Sequence, residues 1–218
     1  MLLSSDPRHE TMTLMRPNAI APRIRKPVRT SRVNTAGRAR DVLVGATLLT
    51  AAAPVLAAAA VALRVGGTRP VLWRSTRLGR HGRPFTLLML RTMRDDAAVP
   101  PAARLSPVGR ALRAVSLDHL PMLINVVRGD LSLVGPRPME PLEVDVGDPR
   151  WRHVLSVRPG LISPAILHLG AGYNAAPAEF RLALEMKYVD QACGRVDARL
   201  LGHAAARLVR SRGNVKAR

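Results

Sequence analysis

From Val42 to Leu63 the chain carries no charged residue, and basic clusters stand on both sides of that stretch. Arg25, Lys26, Arg29, Arg32, Arg38 and Arg40 precede it; Arg64, Arg69, Arg74, Arg77, Arg80 and Arg83 follow it. At about 1.5 Å per residue, a helix of this length just reaches across a hydrocarbon core of roughly 30 Å. Lys and Arg favour the cytoplasmic side of a membrane, so one straight crossing places one cluster on the unfavourable face. A hairpin that enters and leaves by the same face satisfies both clusters. Pro54 supplies a place to turn, because proline removes a backbone donor and clashes with the preceding turn, and Ala53 before it is biased away from helix. Thr47 and Thr50 are suited to bond back to backbone carbonyls near such a break. The alternative is one crossing with a proline kink. The alanine-rich run from Ala51 to Ala60 would fill a soluble core poorly.

The remainder of the chain is read relative to this segment. Residues 1–40 combine prolines, arginines and small polar residues without apolar periodicity and read as a basic disordered tail. Residues 41–67 form the membrane element, ended by Gly66 and Gly67, and residues 68–218 form a cytosolic domain. Strands are expected around Pro70–Thr76 and Phe85–Leu90, separated by a turn at Gly79, Gly82 and Pro84. Ser106 followed by Pro107 marks a helix start, with Val108, Leu112 and Val115 on one face. A second helix is expected from Ser116, its stripe being Leu117, Leu120, Leu123, Ile124 and Val127 and its end Gly129. Amphipathic helices are expected at residues 178–192 and 196–209. The fold class is α+β, mainly helical: a small cytosolic domain with an N-terminal re-entrant helix–break–helix.

Net charge is +19 over 218 residues, which calls for a polyanionic neighbour. Aromatics make up 3% of the chain, too few for stacking platforms along a single nucleic-acid strand. Because the basic residues bracket an apolar segment, anionic membrane lipid fits better than nucleic acid. Cys193 is the single cysteine, so no intrachain disulfide and no cysteine zinc site exist.

The stretch Leu105–Pro138 reads LSPVGRALRAVSLDHLPMLINVVRGDLSLVGPRP. It resembles the long, fixed-spacing signature of the bacterial sugar transferases, the monotopic phosphoglycosyl transferases that act on polyprenyl phosphate. Arg77–Met93, Arg158-Pro159-Gly160, Asp41, and Tyr188 with Asp197 extend the resemblance over about residues 38–205. It implies transfer of a phosphosugar from a nucleotide diphosphate sugar to polyprenyl (undecaprenyl) phosphate through a phosphosugar-aspartate intermediate. It also implies a site at the cytoplasmic face of the bacterial inner membrane, a re-entrant helix broken at proline, and Mg²⁺ or another divalent metal as cofactor. A homodimer is compatible with it. Position by position, Asp118 matches the nucleophile and a metal ligand. Arg91, Arg113, Arg137 and Arg158 match candidates for holding phosphate, for which forked guanidinium donors are suited.

The chain departs from the pattern where the chemistry would lie. His119 replaces the second acid of the Asp-Glu pair, and imidazole is a poor magnesium ligand. Met89 and Leu90 replace a lysine and a phenylalanine, and Met122 replaces a glutamine. Three readings follow: His119 is a working catalytic substitute, as general base or as ligand for a softer metal; or the metal geometry rests on Asp118 and other groups; or the chain is a family member that binds lipid or partners without turnover. Glu140, Glu143, Asp145 and Asp148 form an acidic patch, read as a solvated loop with one member available to help hold a metal.

Overall fold

The computed structural model describes residues 33–93 and 104–215. Helix α1 spans Val33–Val65 and is apolar enough to enter a membrane. Two strands follow, β1 (Leu72–Leu78) and β2 (Pro84–Leu90), paired antiparallel with Leu72 opposite Leu90 and Leu78 opposite Pro84. Then come α2 (Pro107–Ala114), α3 (Met122–Arg128), β3 (Ser132–Val134), α4 (Pro149–Val154), β4 (Gly160–Ile162), α5 (Pro164–Leu169), α6 (Ala178–Gln191) and α7 (Gly194–Val215). Strands β3 and β4 pair in parallel. The described chain is thus mostly helical with two small two-stranded sheets.

The helix begins at Val33, inside the segment read as tail; the rest of that tail lies outside the described residues. Its helical backbone also runs unbroken through Ala53 and Pro54, where the sequence had predicted an interruption. One proline removes only the bond to the Thr50 carbonyl, and flanking alanines are the strongest helix formers. Thr47 and Thr50 donate to the carbonyls of Leu43 and Ala46 at 2.9 and 3.0 Å, respectively. Gly66 and Gly67 end the helix, with Gly67 at φ +81° and the Thr68 amide bonded to the Leu63 carbonyl.

Both ends of α1 pack on the domain. Near its start, Gly45 lies against Val126 of α3, where an added Cβ would meet the valine at 3.1 Å. Near its end, Ala59 and Leu63 join Leu90 and Leu112 in one apolar cluster. Between these anchors Leu48 and Val55 are 47% and 44% exposed, although Leu48 lies two turns from Asp41 on nearly the same face. The middle of the helix is therefore uncovered while its ends are held.

Polar contacts fix the first anchor. Arg38 donates to the carbonyls of Val126 and Val127, capping the C-terminal end of α3 with a cation. Ser132 donates to Asp41 at 2.6 Å. Arg40 reaches Asp197 of α7 at 2.9 Å, and Asp197 also accepts from the Tyr188 hydroxyl of α6 at 2.9 Å. Asp41, Tyr188 and Asp197, scattered features of the family resemblance, thus converge on the root of α1.

The core of the domain is Leu87, Met122, Val126, Leu131 and Leu133. Asn125, fully buried within it, sews α3 to β2: its amide donates to the Thr86 carbonyl and to Asp130, and its oxygen accepts from the Leu88 amide. Asp130 therefore orders the turn after α3. Gly135 and Gly160 are needed because the two chain segments nearly touch; a Cβ on Gly160 would lie 2.0 Å from the Gly135 nitrogen.

Candidate active site

The helix expected from Ser116 is divided in two. Ser116 adopts φ +57°, Leu117–His119 form a single 3₁₀ turn, and α3 starts only after Pro121. Proline lacks the amide that would continue a hydrogen-bonded ladder from the turn below. This tight turn presents Asp118, which is 3% exposed. One carboxylate oxygen lies 3.0 Å from His119 Nδ1, and the other lies 3.9 Å from Arg113 Nε. The side chains of His119 and Arg113 are themselves about half exposed, at 51% and 45%. The carboxylate is covered, but by two side chains that border solvent.

Arg113 is positioned by α2. Ser106 caps that helix by accepting from the Gly109 amide at 2.9 Å, and Pro107 follows at its first position. Gly109 lets α2 pass the end of β2: a Cβ there would meet the Thr92 carbonyl at 2.2 Å. The close approach brings Arg113 Nε to Thr92 Oγ1 at 2.7 Å. Arg91 precedes that threonine, its amide bonded to the Val71 carbonyl.

The other two sequence-identified arginines are engaged elsewhere. Arg158 Nε donates to the Gly129 carbonyl at 3.0 Å, at the far end of α3 from Asp118. Arg137, between Pro136 and Pro138, stacks its guanidinium 4.8 Å from the centre of the Tyr173 ring, while its amide donates to Glu185. The four arginines thus fall into three neighbourhoods: Arg91 and Arg113 at the end of β2, Arg158 under α3, and Arg137 beside Tyr173.

Magnesium does not fit the Asp118 site as a resident ion. Among the described residues no group of three His, Cys, Asp or Glu side chains converges. Asp118 offers the hard oxygens, but one faces an imidazole and the other a guanidinium. Mg²⁺ demands oxygen ligands in near-octahedral array, so most would have to come from substrate phosphates and water. The acidic patch does not help. Glu140 pairs with Arg77 at 2.7 Å and forms a capping box with Glu143, Asp145 accepts from Gly147, and Asp148 caps α4 and binds Arg150.

A cavity of about 200 Å³ lies beside the Tyr173 ring on which Arg137 stacks, lined by Glu143, Trp151, Tyr173, Arg181, Leu182 and Glu185 among others; neither Asp118 nor Arg137 is among its walls. Glu185 is 3% exposed. Burial pushes its carboxyl up to about 7, against the pull of the bonds from the Arg137 amide and Ser163. Glu185 stands outside the family motif. Its signal was an acid on the inward stripe of a predicted amphipathic helix, between Leu182 and Val189. Tyr173, Arg181 and Trp151 carried no such pattern.

Comparison with known proteins agrees with the motif. Residues 32–211 match the family model described as bacterial sugar transferase. The chain is 38% identical over 162 residues to an uncharacterised sugar transferase, EpsL, of Bacillus subtilis, covering 71% of this chain and 77% of that one. It is 39% identical over 165 residues to a UDP-glucose:undecaprenyl-phosphate glucose-1-phosphate transferase of Caulobacter vibrioides, covering 71% of this chain and 59% of that one. It is also 39% identical over 108 residues to an Escherichia coli protein of the same description, 23% of whose length is spanned.

Proposed function

The chain belongs to the bacterial sugar transferase family, and on that premise we propose that it transfers a phosphosugar from a nucleotide diphosphate sugar to polyprenyl phosphate at the cytoplasmic membrane face. The observation that carries this reading is Asp118, set in the matched signature with its two oxygens beside Arg113 and His119. The relatives named for undecaprenyl-phosphate glucose-1-phosphate transfer support undecaprenyl phosphate as acceptor and a UDP-sugar as donor.

In the proposed mechanism an Asp118 carboxylate oxygen attacks the β-phosphorus of the donor. The bond from that phosphorus to the bridging oxygen breaks, nucleoside monophosphate leaves, and a phosphosugar remains on the aspartate. An oxygen of polyprenyl phosphate then attacks the same phosphorus and the aspartate departs as carboxylate. Two displacements replace one difficult transfer. Arg113 stabilises the charge on the phosphoryl oxygens in both steps, as cations do in phosphoryl transfer. His119 holds Asp118 in position and moves aside, with Arg113, to admit the donor. A divalent cation arriving on the donor diphosphate would supply further charge neutralisation.

Helix α1 supports a membrane placement. Its two held ends and uncovered middle support a continuous helix whose middle meets lipid while its ends and both basic flanks stay with the domain on one side. The basic flanks suit anionic headgroups.

The burial of Asp118 favours a second reading, in which the chain binds lipid or a pathway partner without turnover. One assay separates the two. Purified full-length protein in detergent, given undecaprenyl phosphate and a panel of UDP-sugars, is expected to release UMP, and Asp118→Asn to abolish that release. Release that survives Asp118→Asn overturns the mechanism.

A further inference from the structure

The cavity at Tyr173 has features of a ligand site that the transfer chemistry alone does not use. Its walls are largely apolar and include two aromatic rings, Trp151 and Tyr173. Two acids lie among them, Glu143, which is exposed, and Glu185, which is buried. Glu185 Oε1 already accepts from Arg137 and Ser163, whereas Oε2 has no partner among the described residues. Leaving a buried polar atom unpaired is costly, and a ligand donating to Oε2 would complete its set.

Charge points the same way. The Arg137 and Arg181 guanidiniums lie 4.8 and 5.1 Å from the centre of the single Tyr173 ring. Neither guanidinium forms an ion pair among the described residues, and Arg181 Nε is buried without a hydrogen-bond acceptor. The two cations repel each other across the ring; Glu185 beside Arg137 and Glu143 on the cavity wall offset part of that repulsion, and an anion shared between the guanidiniums relieves the rest.

A ligand that fits these features has a flat ring with few hydrogen-bonding atoms and an anionic arm. A hexose, ringed by hydroxyls, would leave most of them unpaired against such walls. At about 200 Å³ the space lies below the 300–1,000 Å³ of pockets that enclose drug-sized ligands, so it holds one small ring and not a whole nucleotide sugar. We propose that this cavity binds the pyrimidine base of the nucleotide donor, with Trp151 and Tyr173 as walls, Glu185 Oε2 bonded to the base edge, and Arg137 and Arg181 gripping the phosphate that follows. The inference rests on the transfer reading and extends it from the phosphosugar to the nucleotide half of the donor.

The test needs no turnover. The chain has two tryptophans, so Trp73→Phe leaves Trp151 as the sole fluorescent reporter in the full-length protein in detergent. Titration with UMP is expected to change Trp151 emission saturably. GMP is expected to bind at least tenfold more weakly, and ribose 5-phosphate and glucose 1-phosphate to leave the emission unchanged. Glu185→Leu and, independently, Arg181→Met are each expected to weaken UMP tenfold or more, with unchanged near-ultraviolet circular dichroism confirming the fold. Unmoved emission at saturating UMP, unchanged UMP affinity in both variants, or equal binding of GMP or glucose 1-phosphate would overturn the proposal. Asp118→Asn separates the two accounts: it is expected to keep UMP binding while losing UMP release. Release that survives in Asp118→Asn defeats the transfer mechanism and leaves the cavity assignment standing.

Discussion

Asp118 and His119 are consecutive residues of one tight turn, and their side chains touch, Oδ1 to Nδ1, at 3.0 Å. Where the family pattern has two acids, this turn pairs an acid with a base. Removing one of two adjacent carboxylates reduces the oxygen ligands available to a divalent cation. His119→Glu is therefore expected to lower the Mg²⁺ concentration for half-maximal UMP release by about tenfold, by restoring a second hard ligand. The measurement is a magnesium titration of the release assay for both proteins; an unchanged midpoint contradicts the role given to position 119.

Arg113 bonds Thr92 and lies against Asp118, so it serves as both anchor and cation. Arg113→Ala is expected to cut UMP release about 10²-fold, the scale on which losing one charge-stabilising donor acts. Arg113→Lys is expected to recover part of that loss, since an ammonium keeps the charge but not the planar fork. Initial rates at saturating donor decide it; equal rates in Ala and Lys variants would make Arg113 a purely structural residue.

Glu185 gives stability a pH dependence with a definite sign. Its carboxyl is raised by burial from 4.5 to about 7 in the folded protein. Below the lower value both states hold the proton. Between the two values the folded state keeps a proton that the unfolded chain has released, so stability falls as pH rises through about 7. At about 1.4 kcal/mol per unit, the loss is at most on the order of 3 kcal/mol. Glu185→Gln keeps an acceptor for the Arg137 amide and Ser163 but cannot ionise. Thermal unfolding in detergent from pH 5 to 8 should show a midpoint that falls in the native protein relative to Glu185→Gln; parallel curves would contradict the burial argument.

Much of this was legible in the sequence because motif and pattern agreed. The apolar run announced α1, Gly66 and Gly67 its end, Ser106 with Pro107 the start of α2, and the amphipathic pattern of residues 178–192 the helix α6. Other features depended on contacts between residues far apart in the chain. The short parallel pair β3–β4 lacks any periodicity of its own, being two three-residue strands held by the close approach of Gly135 and Gly160. The split at Ser116 was masked by an apolar stripe that continues across Pro121. Arg158 matches a phosphate-holding position, and the motif does not show that its Nε also closes the end of α3. Spacing shows that a residue is required; it does not show which neighbour requires it.

The placement of α1 is open to a direct topological test. Ala39 and Arg69 flank the membrane element and are exposed. Cysteines at the two positions, each in a Cys193→Ala background because Cys193 is itself exposed, are both expected to resist a membrane-impermeant maleimide in intact spheroplasts and to react after permeabilisation. Labelling of one but not the other in intact spheroplasts would show a single crossing.

The central claim is that one carboxylate captures the phosphosugar, and mass spectrometry of the acid-quenched protein tests it most directly. Incubated with the UDP-sugar that supports UMP release, and without polyprenyl phosphate, the peptide carrying Asp118 is expected to gain the mass of one sugar phosphate. That adduct should discharge when undecaprenyl phosphate is added and should be missing from Asp118→Asn. UMP release without an adduct, continuing at the native rate in Asp118→Asn, would contradict the account.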